Sequence, residues 1–267
     1  MENKKRLPPE GISEVDISYF GVQAYWGITK HIGGLRATRE LAELCHISEG
    51  KYALDVGCGI GGTPCYLAKG YGCRVVGVDI SEEMVNRSRE KAKKKGVEDR
   101  VKFRVADAQD LPFEDALFDA VIGESITTFV KDKQRAASEY VRATKPGGYV
   151  GLNECIWIGV PPPELVEYMS RTMGGEFLTS DDWRKLLEGS GLRDIVVRTY
   201  KVRAMRQFAE EIRQIDFRDF MRAWSRFFFL LVRSPAFRKY GRELVPPLTV
   251  IKDVFKYLGY GIYVGRK

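Results

Sequence analysis

The sequence predicts an α/β protein built on a doubly wound, mostly parallel sheet. Three observations carry that prediction. Apolar runs of strand length alternate with stretches of helical length from about residue 51 to residue 202. Runs such as Val75-Val76-Gly77-Val78 are continuously apolar, which suits strands covered by helices on both faces. The first run, Tyr52 to Val56, leads into the turn Gly57-Cys58-Gly59-Ile60-Gly61-Gly62, and Thr63 to Lys69 then reads as helical. A strand, a glycine turn and a helix N-terminus make the nucleotide-binding corner of a parallel sheet.

Strands are expected near 51–56, 73–78, 101–105, 118–123, 149–156 and 194–202, and helices near 62–70, 82–95, 132–143 and 180–190. Ser81 is the N-cap of the second helix, with Glu82 and Glu83 in its first turn, lysines from Lys91 to Lys95 in its last, and Gly96 as its stop. Each complements a helix end. The lysine run therefore reads as a solvated helix end. Lys145-Pro146-Gly147-Gly148 predicts a sharp turn before the fifth strand.

Gly57, Gly59 and Gly62 satisfy G-x-G-x-x-G, and Asp79 closes the next strand. That pattern fits a dinucleotide. Asp55, two residues before the first glycine, points elsewhere. A carboxylate facing the crevice repels a pyrophosphate and suits a cofactor with a cationic amino-acid end. Leu54 to Gly62 resembles motif I of the class I S-adenosylmethionine-dependent methyltransferases. Further segments match that family in order: Ala106-Asp107-Ala108, Leu111-Pro112-Phe113, Phe118-Asp119-Ala120-Val121, Glu124-Ser125, Lys145 to Gly148, and Trp183 with Leu186, Leu187 and Gly191-Leu192.

The resemblance covers about residues 50–200 and implies a Rossmann-like seven-stranded sheet whose last strand, Gly259 to Gly265, inserts antiparallel. It implies S-adenosyl-L-methionine as cofactor, held by Asp55, Gly57, Cys58, Gly59, Asp79, Ile80, Asp107, Ala108, Glu124 and Tyr25. In that reading Asp79 accepts the ribose hydroxyls, and Asp107 meets the adenine amino group with Ala108 beside the ring. Within the family, Val85-Asn86-Arg87, Phe118 to Thr127 and Pro146 to Glu154 resemble sterol and tocopherol methyltransferases. His31-Ile32-Gly33-Gly34 with Ala37-Thr38-Arg39 is similar to that group and to phosphoethanolamine methyltransferases.

Composition bounds the rest. A chain of 267 residues buries a full core. No apolar run is long enough to span a bilayer, and Met1 to Glu10 lacks the apolar stretch of a secretory signal. Five scattered cysteines without a C-x-x-C pair argue against a disulfide framework or a zinc site and fit a reducing cytoplasm. With only His31 and His46, a histidine-rich metal centre is excluded. The charge is uneven. From Thr199 to Lys267 there are 15 Lys+Arg against 6 Asp+Glu, so the whole basic excess of this +7 chain lies in its last quarter. That asymmetry speaks of a partner or substrate surface.

Three parts are expected: a helical leader or lid over 1–48, the cofactor-binding core over 49–202 and 258–267, and a basic helical insertion over 203–257. In the leader, Tyr25 or Trp26 is placed to pack on the sulfonium by cation–π attraction, or else on the sheet. Arg36 reads as a surface arginine more readily than as a partner of the cofactor carboxylate. In the insertion, Arg218, Arg222, Arg226 and Arg233 fall within an arc of about 80° at about 100° per residue. Phe217, Phe220, Trp224, Phe227, Phe228 and Leu231 lie opposite. The aromatic face then packs on the sheet edge, lines an apolar substrate pocket, or rests on a membrane surface with the arginines toward anionic head groups.

The expected function is methyl transfer to a small-molecule, hydrophobic or lipid-like acceptor, in the cytoplasm or at the membrane periphery through 217–233. Direct displacement needs geometry and a water-poor site, and no metal. Glu124, at a strand end facing the crevice, is the first candidate for a general base, and His31 the second. The alternatives are an RNA or protein methyltransferase using the basic helices, and a nicotinamide-binding oxidoreductase. Gly123-Glu124-Ser125-Ile126 stands where base N-methyltransferases carry N-P-P and an aromatic residue, which disfavours nucleic-acid bases.

Overall fold

The computed structural model describes Val22 and residues 31–202, 217–243 and 248–267. Tyr25 and Trp26 lie outside these residues. The elements run α1 (Gly34–Leu44), β1 (Tyr52–Val56), α2 (Gly62–Tyr71), β2 (Arg74–Asp79), α3 (Glu82–Lys95), β3 (Val101–Val105) and β4 (Phe118–Glu124). A 3-10 turn (Thr127–Phe129) follows, then α4 (Lys133–Ala143), β5 (Thr144–Trp157), α5 (Pro163–Met173), β6 (Leu178–Thr179), α6 (Ser180–Gly189) and β7 (Arg193–Lys201). The chain closes with α7 (Phe217–Arg233), α8 (Pro235–Glu243), α9 (Leu248–Tyr257) and β8 (Leu258–Arg266).

The strands form one sheet in the order β3-β2-β1-β4-β5-β8-β7, with the short β6 beside β5. β1 to β5 pair in parallel, and β8 runs antiparallel between β5 and β7. The expected insertion of the last strand is therefore present. The parallel strands β1, β2 and β4 are buried on both faces, whereas the edge strand β3 is exposed on one, and alternate residues supply two cores. Ala53, Val75 and Ile122 pack under α1, α2 and α3 with Leu41, Leu67 and Val85. Leu54, Val76, Val121 and Leu152 pack under α4 and α6 with Tyr140, Trp183 and Leu187. The continuous hydrophobic runs are the sequence trace of this two-sided covering.

Local signals hold where expected. Ser81 caps α3, accepting from Met84 N at 3.4 Å, and Gly96 ends the helix in a left-handed conformation. The Lys145–Gly148 turn falls inside β5 as an irregularity, where pairing with β4 jumps from Thr144 to Tyr149. α5 and β6 have no counterpart among the expected elements. Among the described residues, no helix is long and apolar enough to cross a membrane.

The described residues of the insertion are helical, and α7 leaves much of its aromatic face exposed instead of covering it against the sheet edge. Its buried stripe is Ala223 and Leu230, closed by Phe237 of α8 and by Val22. Trp224, Phe228 and Leu231 are more than one third exposed, as are Met221 and Val232. α8 turns back on α7, and the shared stripe is too narrow to take in the whole aromatic arc. Arg222 and Arg233 are exposed. The side chains of Phe217, Arg218 and Phe220 lie outside the described residues.

Candidate active site

The parallel strands end together, and their C-terminal ends carry the polar groups. Asp55, penultimate in β1, lies level with Gly77 of β2 and Ile122 of β4. It is buried, and among the described residues its Oδ2 has no hydrogen-bond partner. Burial, then the Glu124 and Asp79 charges, hold its carboxyl well above the usual range. An unpaired buried carboxylate is costly, and it marks a place where a cation is wanted.

The glycine turn follows. Gly57 N and Cys58 N both donate to Val78 O, at 2.8 and 2.9 Å. Gly57 has φ +73°, and a Cβ there would lie 2.6 Å from Ile126 Cβ. The turn thus exists only with glycine at that position. Cys58 is buried, and burial pushes its thiol up. Asp79 organises the turn from β2: its Oδ2 accepts from Gly59 N at 2.9 Å and its Oδ1 from Ser81 N at 3.0 Å. Burial raises its carboxyl, and the N–H groups of Ser81, Gly59 and Ile80 partly offset that rise. Asp79 therefore has a local role in addition to any hydroxyl it accepts from a ligand.

The ends of β2 and β3 are in register, Asp79 beside Val105, and Ala106 N donates to Asp79 O at 3.1 Å. Ile80 and Ala108 leave these adjacent ends, Ile80 being 72 % exposed and Ala108 buried. Asp107 takes the backbone N–H of Gln109 at 2.8 Å and the Gln109 side-chain amide at 3.2 Å.

Glu124 ends β4 at the centre of a cluster. Thr63 Oγ1, on the first turn of α2, donates to its Oε2 at 2.7 Å. Thr38 Oγ1, on α1, donates to both oxygens at 3.1 Å. Asn153 Nδ2 of β5 lies 3.4 Å from Oε1, and His31 Nδ1 lies 3.4 Å from the same oxygen. The Thr38 hydroxyl also sits 3.1 Å from His31 Nε2. The structure thus brings together the two residues singled out as candidate bases. Their surroundings differ. The Glu124 side chain is 4 % exposed with both oxygens engaged, whereas the His31 side chain is 22 % exposed.

The leader is strapped to the sheet at the same place. Ile32 N donates to Ser125 Oγ at 3.0 Å, and Asn153 Nδ2 donates to Ile32 O at 2.8 Å. Ser125 was read beside Glu124 at the strand end, whereas Thr38, Thr63 and Asn153 were not legible as site residues. Only the position of Thr63 directly after the glycine turn, and the seven-residue spacing of His31 and Thr38, carried any signal. Arg36 is not part of the site; its guanidinium lies over the Tyr200 ring, 5.5 Å from the centroid. Among the described residues no group of three or more His, Cys, Asp or Glu could hold a metal.

Residues 54–152 match the methyltransferase domain model. An uncharacterized protein of Haemophilus influenzae is 32% identical over 167 residues, 61% of this chain and 66% of that protein. The phosphoethanolamine N-methyltransferase of Triticum aestivum is 29% identical over 185 residues, 69% of this chain and 36% of that enzyme. The chain thus spans little more than a third of the length of that curated relative. Among solved structures, phosphoethanolamine N-methyltransferase 2 of Haemonchus contortus, in complex with phosphomonomethylethanolamine and S-adenosylhomocysteine, superposes with a TM-score of 0.69 at 24% identity, over 92% of this chain and 57% of its own. SpnF, a 4+2 cyclase, superposes at 0.67 and 26% identity, over 87% of this chain and 80% of its own.

S-adenosylmethionine suits what the crevice shows: open space over Gly62 for close approach, and a buried carboxylate oxygen with no partner among the described residues for a cationic cofactor. With the methyltransferase domain model spanning the very strands that build this crevice, residues 54–152 are a methyltransferase domain.

Proposed function

We propose that the protein transfers a methyl group to a small-molecule acceptor of hydrophobic or lipid-like character. The observation that carries the reading is the acidic corner. Asp55 is buried with an oxygen that has no partner among the described residues, and the charges of Glu124 and Asp79 act on it. A ligand completing this corner carries positive charge. The cofactor supplies an activated methyl group on a sulfonium. Asp55 faces its charged end, and Asp79 and Ile80 take the nucleoside end. His31 accepts the acceptor's proton, because it is the more open of the two central groups. Glu124 and Thr38 orient its ring.

Exposed apolar side chains on α7 support an apolar acceptor: Met221, Trp224, Phe228, Leu231 and Val232 stand together on one face. With Arg222 and Arg233 exposed beside them, the face has the character of a helix lying on an anionic lipid surface. Phosphoethanolamine, after which the wheat relative is named, is the polar acceptor to weigh against a lipid one.

The test is transfer of tritiated methyl from S-adenosylmethionine into a total lipid extract, phosphoethanolamine and an RNA pool. Label in the lipid fraction supports the proposal. Label only in phosphoethanolamine moves the acceptor to the polar class, and label only in RNA overturns the reading. Sedimentation with anionic vesicles checks the surface: Val232→Glu is expected to weaken binding roughly tenfold. Wild type that ignores such vesicles refutes the membrane contact.

A further inference from the structure

Glu154, near the C-terminal end of β5, is fully buried and takes no part in the site described above. Its partners are four donors from one short segment. Oε1 accepts from Ile126 N at 3.2 Å and Thr127 N at 2.7 Å. Oε2 accepts from Thr128 N at 3.4 Å and Thr128 Oγ1 at 2.8 Å. These are the residues that follow Glu124 and Ser125, so the carboxylate holds the chain as it leaves β4.

That segment touches both halves of the crevice. The Ile126 side chain is packed over the glycine turn, and a Cβ on Gly57 would lie 2.6 Å from its Cβ. Ser125, at φ +55°, presents the hydroxyl that takes Ile32 N from the leader. The neighbouring Asn153 reaches the opposite way, to Ile32 O and Glu124. We propose that Glu154 is a positioning residue: by holding residues 126–128 it sets Ile126 against the cofactor turn and Ser125 against the leader, and so assembles the crevice it never touches.

The chemistry of the contact makes it sensitive to protonation. A carboxylate accepts from all four donors, whereas a carboxylic acid turns one oxygen toward them as an O–H. Desolvation pushes the Glu154 carboxyl up to about 7, against the pull of its four donors. The titratable groups that respond to its charge are Cys155 on its own strand, Tyr140 on α4 and Tyr263 on β8. Burial pushes each of these up, so each is neutral near pH 7, and none is a cation. Among the described residues the charge of Glu154 is therefore held by hydrogen bonds, and losing it releases the segment.

The inference rests on the cofactor reading of the same crevice, and the test keeps the two apart. S-adenosylhomocysteine binding is measured by calorimetry from pH 6 to pH 8.5 on wild type and Glu154→Gln. At pH 8.5 the variant is expected to bind roughly three- to tenfold more weakly. The ratio of the two affinities is expected to fall toward one as pH drops through about 7. A ratio of one at high pH, or a ratio constant with pH, overturns the proposal. A merely structural loss lowers the melting temperature and leaves the ratio flat. Hydrogen exchange decides without any ligand: amides of Ile126, Thr127 and Thr128 are expected to lose protection in the variant while β1 and β2 keep theirs. Unchanged protection there sinks the proposal. Wild type that binds no S-adenosylhomocysteine sinks only the cofactor reading.

Discussion

Replacing Gly57 by alanine puts a methyl group where the fold has no room for one. The residue sits at φ +73°, and its Cβ would lie 2.6 Å from Ile126 Cβ. Left-handed backbone costs a non-glycine residue about 1–2 kcal/mol. Overpacking a filled site adds about 1–3 kcal/mol, since Ile126 is also close to Gly123 and has nowhere to retreat. The sum is about 2–5 kcal/mol. Unfolding entropy of about 2.1 cal/mol/K per residue, over 267 residues, converts this to a fall of about 4–9 °C in melting temperature. Gly62→Ala is the matched control. Gly62 is the third glycine of the same motif, yet it is the first residue of α2, has no positive φ, and a Cβ there meets nothing within 4 Å. Alanine favours a helix over glycine by about 1 kcal/mol, so its melting temperature is expected to hold or rise by a degree or two. Calorimetric scans of the apo proteins test the pair. Equal losses in both variants, or no loss in Gly57→Ala, would refute the reasoning. Because the space over Gly62 is open to a ligand, Gly62→Ala is expected to weaken S-adenosylmethionine binding with the fold intact.

Asp55→Asn is expected to abolish most cofactor affinity and to flatten the pH dependence of apo stability. The sign follows from the raised carboxyl: the folded state holds its proton to higher pH than the unfolded chain, so stability is lost as pH rises. The gap between melting curves at pH 5 and pH 8 should shrink in the variant, with Glu154 and Asp79 keeping their share of it, and an unchanged slope would show that Asp55 does not carry it. Thr63→Val removes the 2.7 Å bond to a buried carboxylate and is expected to cost about 1–3 kcal/mol, read by urea denaturation. Glu124→Gln is expected to lower turnover more than cofactor affinity; equal loss of both would mark Glu124 as a cofactor contact. His31→Ala should reduce turnover at unchanged S-adenosylhomocysteine affinity, and a variant with full turnover would remove His31 from the chemistry.

The crevice was legible in the sequence because its parts are local. Asp55 to Gly62 is one strand end and one turn, Asp79 is the last residue of its strand, and period and glycine placement report such features directly. The antiparallel last strand was legible through the family resemblance, which spans the ordered motifs. What joins distant segments was not. Thr38, Thr63 and Asn153 converge on Glu124 from α1, α2 and β5, and only the register of β4 against β5 puts Asn153 beside Glu124. Nor does periodicity say which side of α7 is covered: the helix is amphipathic in sequence, but its partner α8 buries a stripe through Ala223 and Leu230 and leaves Trp224 and Phe228 in solvent. Glu154 reads in the sequence as one acidic residue in an apolar strand. Its burial, and the four donors that face it, exist only once residues 126–128 fold back over β5. The sequence by itself determined strands, turns and the cofactor corner, because these depend on neighbours within a few residues. The tertiary structure decided which polar groups are satisfied, because a buried charge finds its partners across the sheet rather than along the chain.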